Sequence, residues 1–423
     1  MVAVLSRSLA FGAGAPETLD PLHVSGKYIQ DSANRVVILR GVTTITRDIN
    51  GQPMVMRAED FQRIRAWGFN VQQIRLEGCR MALIPPCKPD PAYLDLVESW
   101  VRMGAEHGLY SIFKATLYDV PGYQFQFYFK PATWDRFWDP GSGIQDAYLQ
   151  GWQVVWRRFA NDPAVIGYDY LNEPIPASNT QDFSHRYLFP FYRKAAQALH
   201  SIDPQKIFFY QPDERKPEDG ESLNQPNVVF APHFYPPPQQ AISEAMNQRV
   251  HSGGAAGVPV LIGEYGYPNV PSAHLPAATP ERDMQDANLF DQWALGTIKT
   301  WYTSHGDFAI LQPNGKAYPR IAIFSRPFPR RIAGTPESWH YDFPSGTLTL
   351  RYRPDPAVKN ATDIYAAPHD YPNGFDVTTS DGQHFSSGGT AVAGISYEAG
   401  IQILRVLNPA QIQGVREIIV KKK

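Results

Sequence analysis

The first three quarters of the chain alternate short β-branched or aromatic runs with longer stretches whose apolar residues recur three and four apart. That is the pattern of βα units laid around a parallel sheet. The runs fall at 36–44, 71–77, 110–118, 165–172, 206–211, 228–235, 259–265 and 297–304, which is enough for one closed (β/α)8 TIM barrel. Helical spacing is plainest in Tyr93-Leu-Asp-Leu-Val-Glu-Ser-Trp-Val-Arg-Met-Gly104 and in Tyr148-Leu-Gln-Gly-Trp-Gln-Val-Val-Trp-Arg-Arg-Phe159, each suited to the outside of a barrel. Strands buried on both faces read as nearly continuous apolar segments, as Val260-Leu-Ile262 does after Pro259.

After about Pro336 the helical periods give way to short alternating runs between Gly, Pro, Asn and Asp, at 347–352, 362–366, 374–378, 391–397, 401–407 and 416–420. These predict a smaller C-terminal β-sandwich domain, which suits a chain of 423 residues, longer than one average domain. The expected division is a poorly ordered leader over 1–20, a barrel over 21–335 and a sandwich over 336–423. The joint Arg326-Pro-Phe-Pro-Arg-Arg-Ile-Ala-Gly-Thr-Pro336 is rich in proline yet keeps apolar residues, so it is expected to dock against the barrel.

Two glutamates stand at the ends of strand-like runs: Glu173 in Val165-Ile-Gly-Tyr-Asp-Tyr-Leu-Asn-Glu-Pro174 and Glu264 in Pro259-Val-Leu-Ile-Gly-Glu-Tyr-Gly266. A carboxylate beside a core costs several kcal/mol unless something is gained, and two of them suit a glycosidase, which needs one protonated and one ionised carboxyl across a sugar. Barrel chemistry sits where strands end, and strands four and seven open into the same mouth. A separation of roughly 5 Å would give retention of anomeric configuration and a substantially larger one inversion. Carboxylates suffice for this reaction, so no metal or organic cofactor is expected.

With 39 Lys and Arg against 41 Asp and Glu, the net charge is −2 and supplies no basic field for nucleic acid. The 22 Tyr, 23 Phe and 9 Trp exceed what a core of this size needs, and the excess would suit faces that stack on sugars or grip an apolar tail. No run approaches the roughly twenty apolar residues that cross a bilayer. Residues 1–15 carry Arg7 within the apolar stretch, so a disordered leader is favoured over a cleaved signal, while the compartment leans weakly to secreted or extracellular. Cys79 and Cys87 are spaced to clip one loop if the compartment is oxidising, and are otherwise two free thiols.

Leu171-Asn-Glu-Pro174 and Ile262-Gly-Glu-Tyr-Gly266 resemble the acid/base and nucleophile motifs of glycoside hydrolase family 5, a retaining family built on a (β/α) barrel, over nearly the whole chain. The resemblance implies Glu173 as general acid/base, Asn172 as the neighbour that bonds the sugar 2-hydroxyl, and Glu264 as nucleophile. It carries Arg75 over as the strand-two arginine steadying the nucleophile, His233 and Tyr235 as the strand-six pair, and Trp301 as the strand-eight sugar platform, with Trp293 the alternative register. The family's strand-three histidine is absent from Ile112-Phe-Lys-Ala-Thr-Leu-Tyr-Asp119, and Lys114 or Tyr118 is expected in its place.

The opening Gly26-Lys-Tyr-Ile-Gln-Asp-Ser-Ala-Asn-Arg-Val-Val-Ile-Leu-Arg-Gly41 and the 325–336 segment before a β-domain resemble the endoglycoceramidase branch, which cleaves glycan from ceramide. This implies a glycosphingolipid or related β-glycoside with an apolar aglycone as substrate. The aromatic run Tyr123-Gln-Phe-Gln-Phe-Tyr-Phe129 could then hold an acyl chain or make peripheral contact with a membrane, or it is a buried hairpin strand. The alternatives are a retaining endo-β-glucanase or mannanase with an open cleft, and a carbohydrate-binding relative that has lost turnover.

Overall fold

The computed structural model describes residues 19–423 apart from 49–50, 84–86, 117–130, 176–179, 214, 217, 236–240, 273 and 412–413. The leader over 1–20 thus lies almost wholly outside the described residues. Eight parallel strands form the barrel: β1 (Arg40–Ile45), β2 (Val71–Glu77), β3 (Tyr110–Thr116), β4 (Val165–Asp169), β5 (Ile207–Tyr210), β6 (Val228–Phe230, resuming at His233–Phe234), β7 (Leu261–Tyr265) and β8 (Gly296–Tyr302). Successive strands pair in chain order, and β8 returns to β1. The break in β6 lets its first half pair with β5 and its second with β7. Phe230 N donating to Pro259 O at 3.0 Å and Gly263 N donating to Pro232 O at 3.0 Å stitch that seam.

Parallel strands covered on both faces are buried throughout, so runs such as Ile207–Tyr210 are wholly apolar and the polar Gln72 and Gln73 of Val71–Glu77 are buried with partners. One face sends Val71, Tyr110, Ile112, Ile207, Phe209, Leu261 and Ile298 into the barrel interior. The other packs Ile74, Phe113, Tyr168 and Phe208 with helix residues such as Trp100 of α1 (Pro91–Glu106) and Trp152 of α2 (Ile144–Arg158). Strand β4 lies so close to β5 that a Cβ on Gly167 would sit 2.1 Å from the Ile207 carbonyl oxygen, so this contact requires glycine.

Two antiparallel sheets face each other beyond the barrel. One runs in the order β10 (Gly334–Asp342), β11 (Thr347–Pro354), β17 (Arg416–Lys422), β13 (Phe375–Thr379), β14 (His384–Ser386). The other contains β9 (Phe328–Ile332), β12 (Thr362–Tyr365), β16 (Ile403–Val406) and β15 (Ile395–Glu398), and it continues past β9 into the N-terminal strands Val36–Val37, Tyr28–Gln30 and His23–Ser25. Trp339, Leu350 and Val420 from the first sheet share one core with Val36, Ile332 and Leu404 from the second. Residue 336 lies inside β10, and the sandwich takes in chain from both sides of the barrel.

The joint is docked. Arg326 is buried and donates to both carboxylate oxygens of Asp291, to which Arg40 also donates at 3.1 Å. Cys79 and Cys87 form a disulfide with Cα atoms 4.9 Å apart. Among the described residues, no helix is long and apolar enough to cross a membrane.

Candidate active site

Period-two alternation decides which side chains reach the mouth. On β3, Tyr110 and Ile112 fill the interior and Lys114 follows in the same lane, wholly buried. Its ammonium donates to Glu264 Oε1 at 2.6 Å and to His233 Nε2 at 2.8 Å, and lies 3.7 Å from Asp169 Oδ2. A charged lysine can only donate, so His233 Nε2 accepts and the ring proton sits on Nδ1, which donates to Glu173 Oε1 at 2.8 Å. Tyr235 donates to the second oxygen of Glu264 at 3.1 Å and lies 3.1 Å from the Thr300 hydroxyl.

Glu173 stands just past β4, where the chain turns with φ +47°. A non-glycine residue held there costs on the order of 1 kcal/mol, so the turn needs support from outside itself. Asn172 donates to Glu173 Oε2 at 3.3 Å, and the Glu173 amide donates to the Gln211 side-chain oxygen at 2.8 Å. A carboxylate oxygen of Glu173, one of Glu264 and a ring nitrogen of His233 all lie within 4.8 Å of one another. These three atoms have the spacing of metal ligands, but Lys114 already supplies, at hydrogen-bond distance, the positive charge that such a cluster would otherwise draw from a cation.

Glu264 is 6% exposed, and burial alone would push its pKa up. The charge of Lys114, its hydrogen bond and the charge of Arg75 outweigh that and hold it well below the usual carboxylate range. Lys114 favours the ionised form, so Lys114→Met should raise this pKa and move the acid limb of the kcat/KM profile to higher pH. The lost charge-assisted bond should also lower kcat/KM at neutral pH roughly tenfold to a hundredfold. An acid limb that stays where it was would show that Lys114 does not set the charge of Glu264.

The residues expected at the mouth are largely brought together. Arg75, four residues beyond Val71 in the same lane of β2, lies with its guanidinium 5.1 Å from the centre of the Trp301 ring. Trp301 itself follows Thr300 across a cis peptide on β8 and packs against Phe308 at 5.9 Å. Trp293 is 39% exposed beyond the helix Pro280–Gln292, so Trp301 is the tryptophan at the strand-eight position. Lys114 reaches Glu264 and His233 from β3. Tyr118 and the 123–129 run lie outside the described residues. Asp169, Gln211 and Thr300 join the site without having been singled out. Gln211 carried a readable signal, since it continues the inward lane of Ile207 and Phe209.

A parallel barrel whose strand ends bring two carboxylates this close has the build of a hydrolase of glycosidic bonds. The family model described as Cellulase (glycosyl hydrolase family 5) matches residues 31–296, and that of the glycoside hydrolase family 5 C-terminal domain matches residues 326–418. Endoglycoceramidase I of Rhodococcus hoagii (strain 103S) is 23% identical over 436 aligned positions, covering 88% of this chain and 85% of its own. Endo-glycoceramidase II from a Rhodococcus species, in a cellobiose-like isofagomine complex, matches with TM-score 0.77 at 22% identity over 94% of this chain and 99% of its own. Its ganglioside GM3 complex gives 0.76 at 21%, over 94% and 100%. Sterylglucosidase 1 of Cryptococcus neoformans gives TM-score 0.73 at 14% identity, over 97% and 99%. At these identities the structural likeness is one of fold. The chain is an O-glycosyl hydrolase. It belongs to glycoside hydrolase family 5.

Proposed function

We propose that this enzyme is a retaining β-glycosidase that separates a glycan from an apolar aglycone, of the glycosphingolipid type. The observation that carries the mechanism is the approach of a Glu173 carboxylate oxygen to within 4.8 Å of one of Glu264, short of the roughly 6.5–9.5 Å at which an inverting pair leaves room for water beside the sugar. Glu264, held ionised, attacks the anomeric carbon as the bond to the aglycone oxygen breaks, and Glu173 gives that oxygen its proton. Glu173 then takes a proton from a water that attacks the same carbon, and Glu264 leaves as carboxylate. Asn172 is placed to meet the sugar 2-hydroxyl, Arg75 and Tyr235 steady Glu264, and Trp301 offers an aromatic face to the sugar.

The likeness to proteins named endoglycoceramidase, one of them solved with ganglioside GM3, supports the lipid aglycone. The Cys79–Cys87 disulfide supports an oxidising, secreted setting. Glucosyl- and galactosylceramide, a ganglioside, a steryl glucoside and a soluble β-glucan, assayed side by side, test the substrate class. Glycan release from the glycosphingolipids at rates at least tenfold above the glucan is expected, and the reverse order would make the enzyme a glucanase. Proton NMR of the sugar released in the first minutes should show the β-anomer first. Initial α-anomer would overturn retention.

A further inference from the structure

Glu173 is held at two places by two routes that meet again. Its carboxylate is reached through His233, and its main-chain amide through Gln211, whose side-chain nitrogen donates to both oxygens of Asp169 at 2.9 and 2.8 Å. Asp169 Oδ2 lies 3.7 Å from Lys114, and Lys114 donates to His233 at 2.8 Å, so the circuit closes through strands β3, β4, β5 and β6. Asp169 and Gln211 are each 1% exposed.

We propose that Gln211, oriented by Asp169, is a positioning residue for proton transfer: it fixes the left-handed turn at Glu173 and so aims that carboxyl at the leaving oxygen. The amide can do this because its two ends are chemically different. The nitrogen must face the carboxylate of Asp169, which leaves the oxygen, and nothing else, to receive the Glu173 N–H. Asp169 thereby sets the polarity of the support. Without it the Glu173 amide loses the acceptor that Gln211 offers, and the turn loses that support for its φ of +47°. The close β4–β5 approach at Gly167 brings Asp169 and Gln211 within reach of one another.

This inference rests on Glu173 being the acid, and the test separates the two. Gln211→Met keeps the volume and removes both polar ends. Its kcat/KM on a glycoside with an alkyl leaving group should fall on the order of a hundredfold, because a misplacement of about 1 Å costs that much. On a dinitrophenyl glycoside, which needs little acid assistance, the loss should stay below about tenfold. Glu173→Ala is measured alongside. If it lacks this leaving-group contrast, the acid assignment fails; if it shows the contrast and Gln211→Met does not, the assignment stands and this inference falls. The exchange Asp169→Asn with Gln211→Glu rebuilds the chain with the charge moved, an amide donating to a carboxylate that accepts from Glu173 N–H. It should recover the wild-type ratio between the two substrates, including where Gln211→Met fails to fold. A ratio shifted toward that of Glu173→Ala would overturn the proposal.

Discussion

Glu264→Gln is expected to abolish turnover, by roughly 10⁴-fold or more in kcat on both activated and natural glycosides, because an amide of nearly the same volume has no charge with which to attack the anomeric carbon. The fold should survive. The amide oxygen can still accept from Lys114, and Lys114 keeps Asp169 at 3.7 Å, so no buried ammonium is left without an anionic neighbour. Circular dichroism and the thermal midpoint should match the parent within a few degrees, while steady-state hydrolysis of an aryl glycoside disappears. Activity close to the parent's would remove Glu264 from the nucleophile's role.

Glu173→Ala should behave differently. With a dinitrophenyl glycoside, kcat/KM should stay within roughly tenfold of the parent, whereas a glycoside with an alkyl or ceramide leaving group should lose on the order of 10³-fold, since only the latter needs a proton on the departing oxygen. The second half-reaction then lacks its base, and added azide should restore turnover on the activated substrate by taking the sugar directly from Glu264. The product should be the β-glycosyl azide. An α-azide, or a loss of the same size on both substrates, would contradict the two-step scheme.

Much of this site could be read from the chain because its key groups obey two simple rules. Glu173 and Glu264 are charges at the ends of apolar strands, and Arg75, His233 and Tyr235 follow from the resemblance to the family. Lys114 was legible only as the occupant of a space. Its grip on both Glu264 and His233 follows from the approach of β3 to the far side of the barrel, which no local pattern states. Asp169 was missed for a related reason: a buried acid looks like an ordinary strand end until pairing brings it face to face with Gln211.

The sandwich was foreseen from its later strands, but Phe328–Ile332 reads as linker, carrying Pro329, Arg330 and Arg331. It becomes a buried strand because Asp363 accepts from Arg331 at 3.2 Å and from Arg35, and Asp31 pairs with Arg35 at 2.8 Å, so two carboxylates balance two guanidiniums that sequence alone displays as exposed. Val36–Val37, expected as the start of the first barrel strand, joins the sandwich instead, because its partner Arg331–Ile332 lies some three hundred residues away.

That last pairing also dictates an order of events at the ribosome. Val36–Val37 must wait for Arg331–Ile332 to emerge, so throughout synthesis of the barrel the nascent chain carries a free β-edge immediately upstream of β1. A polypeptide released before residue 326 would keep that edge permanently bare, and self-association through it is the fate such a fragment invites.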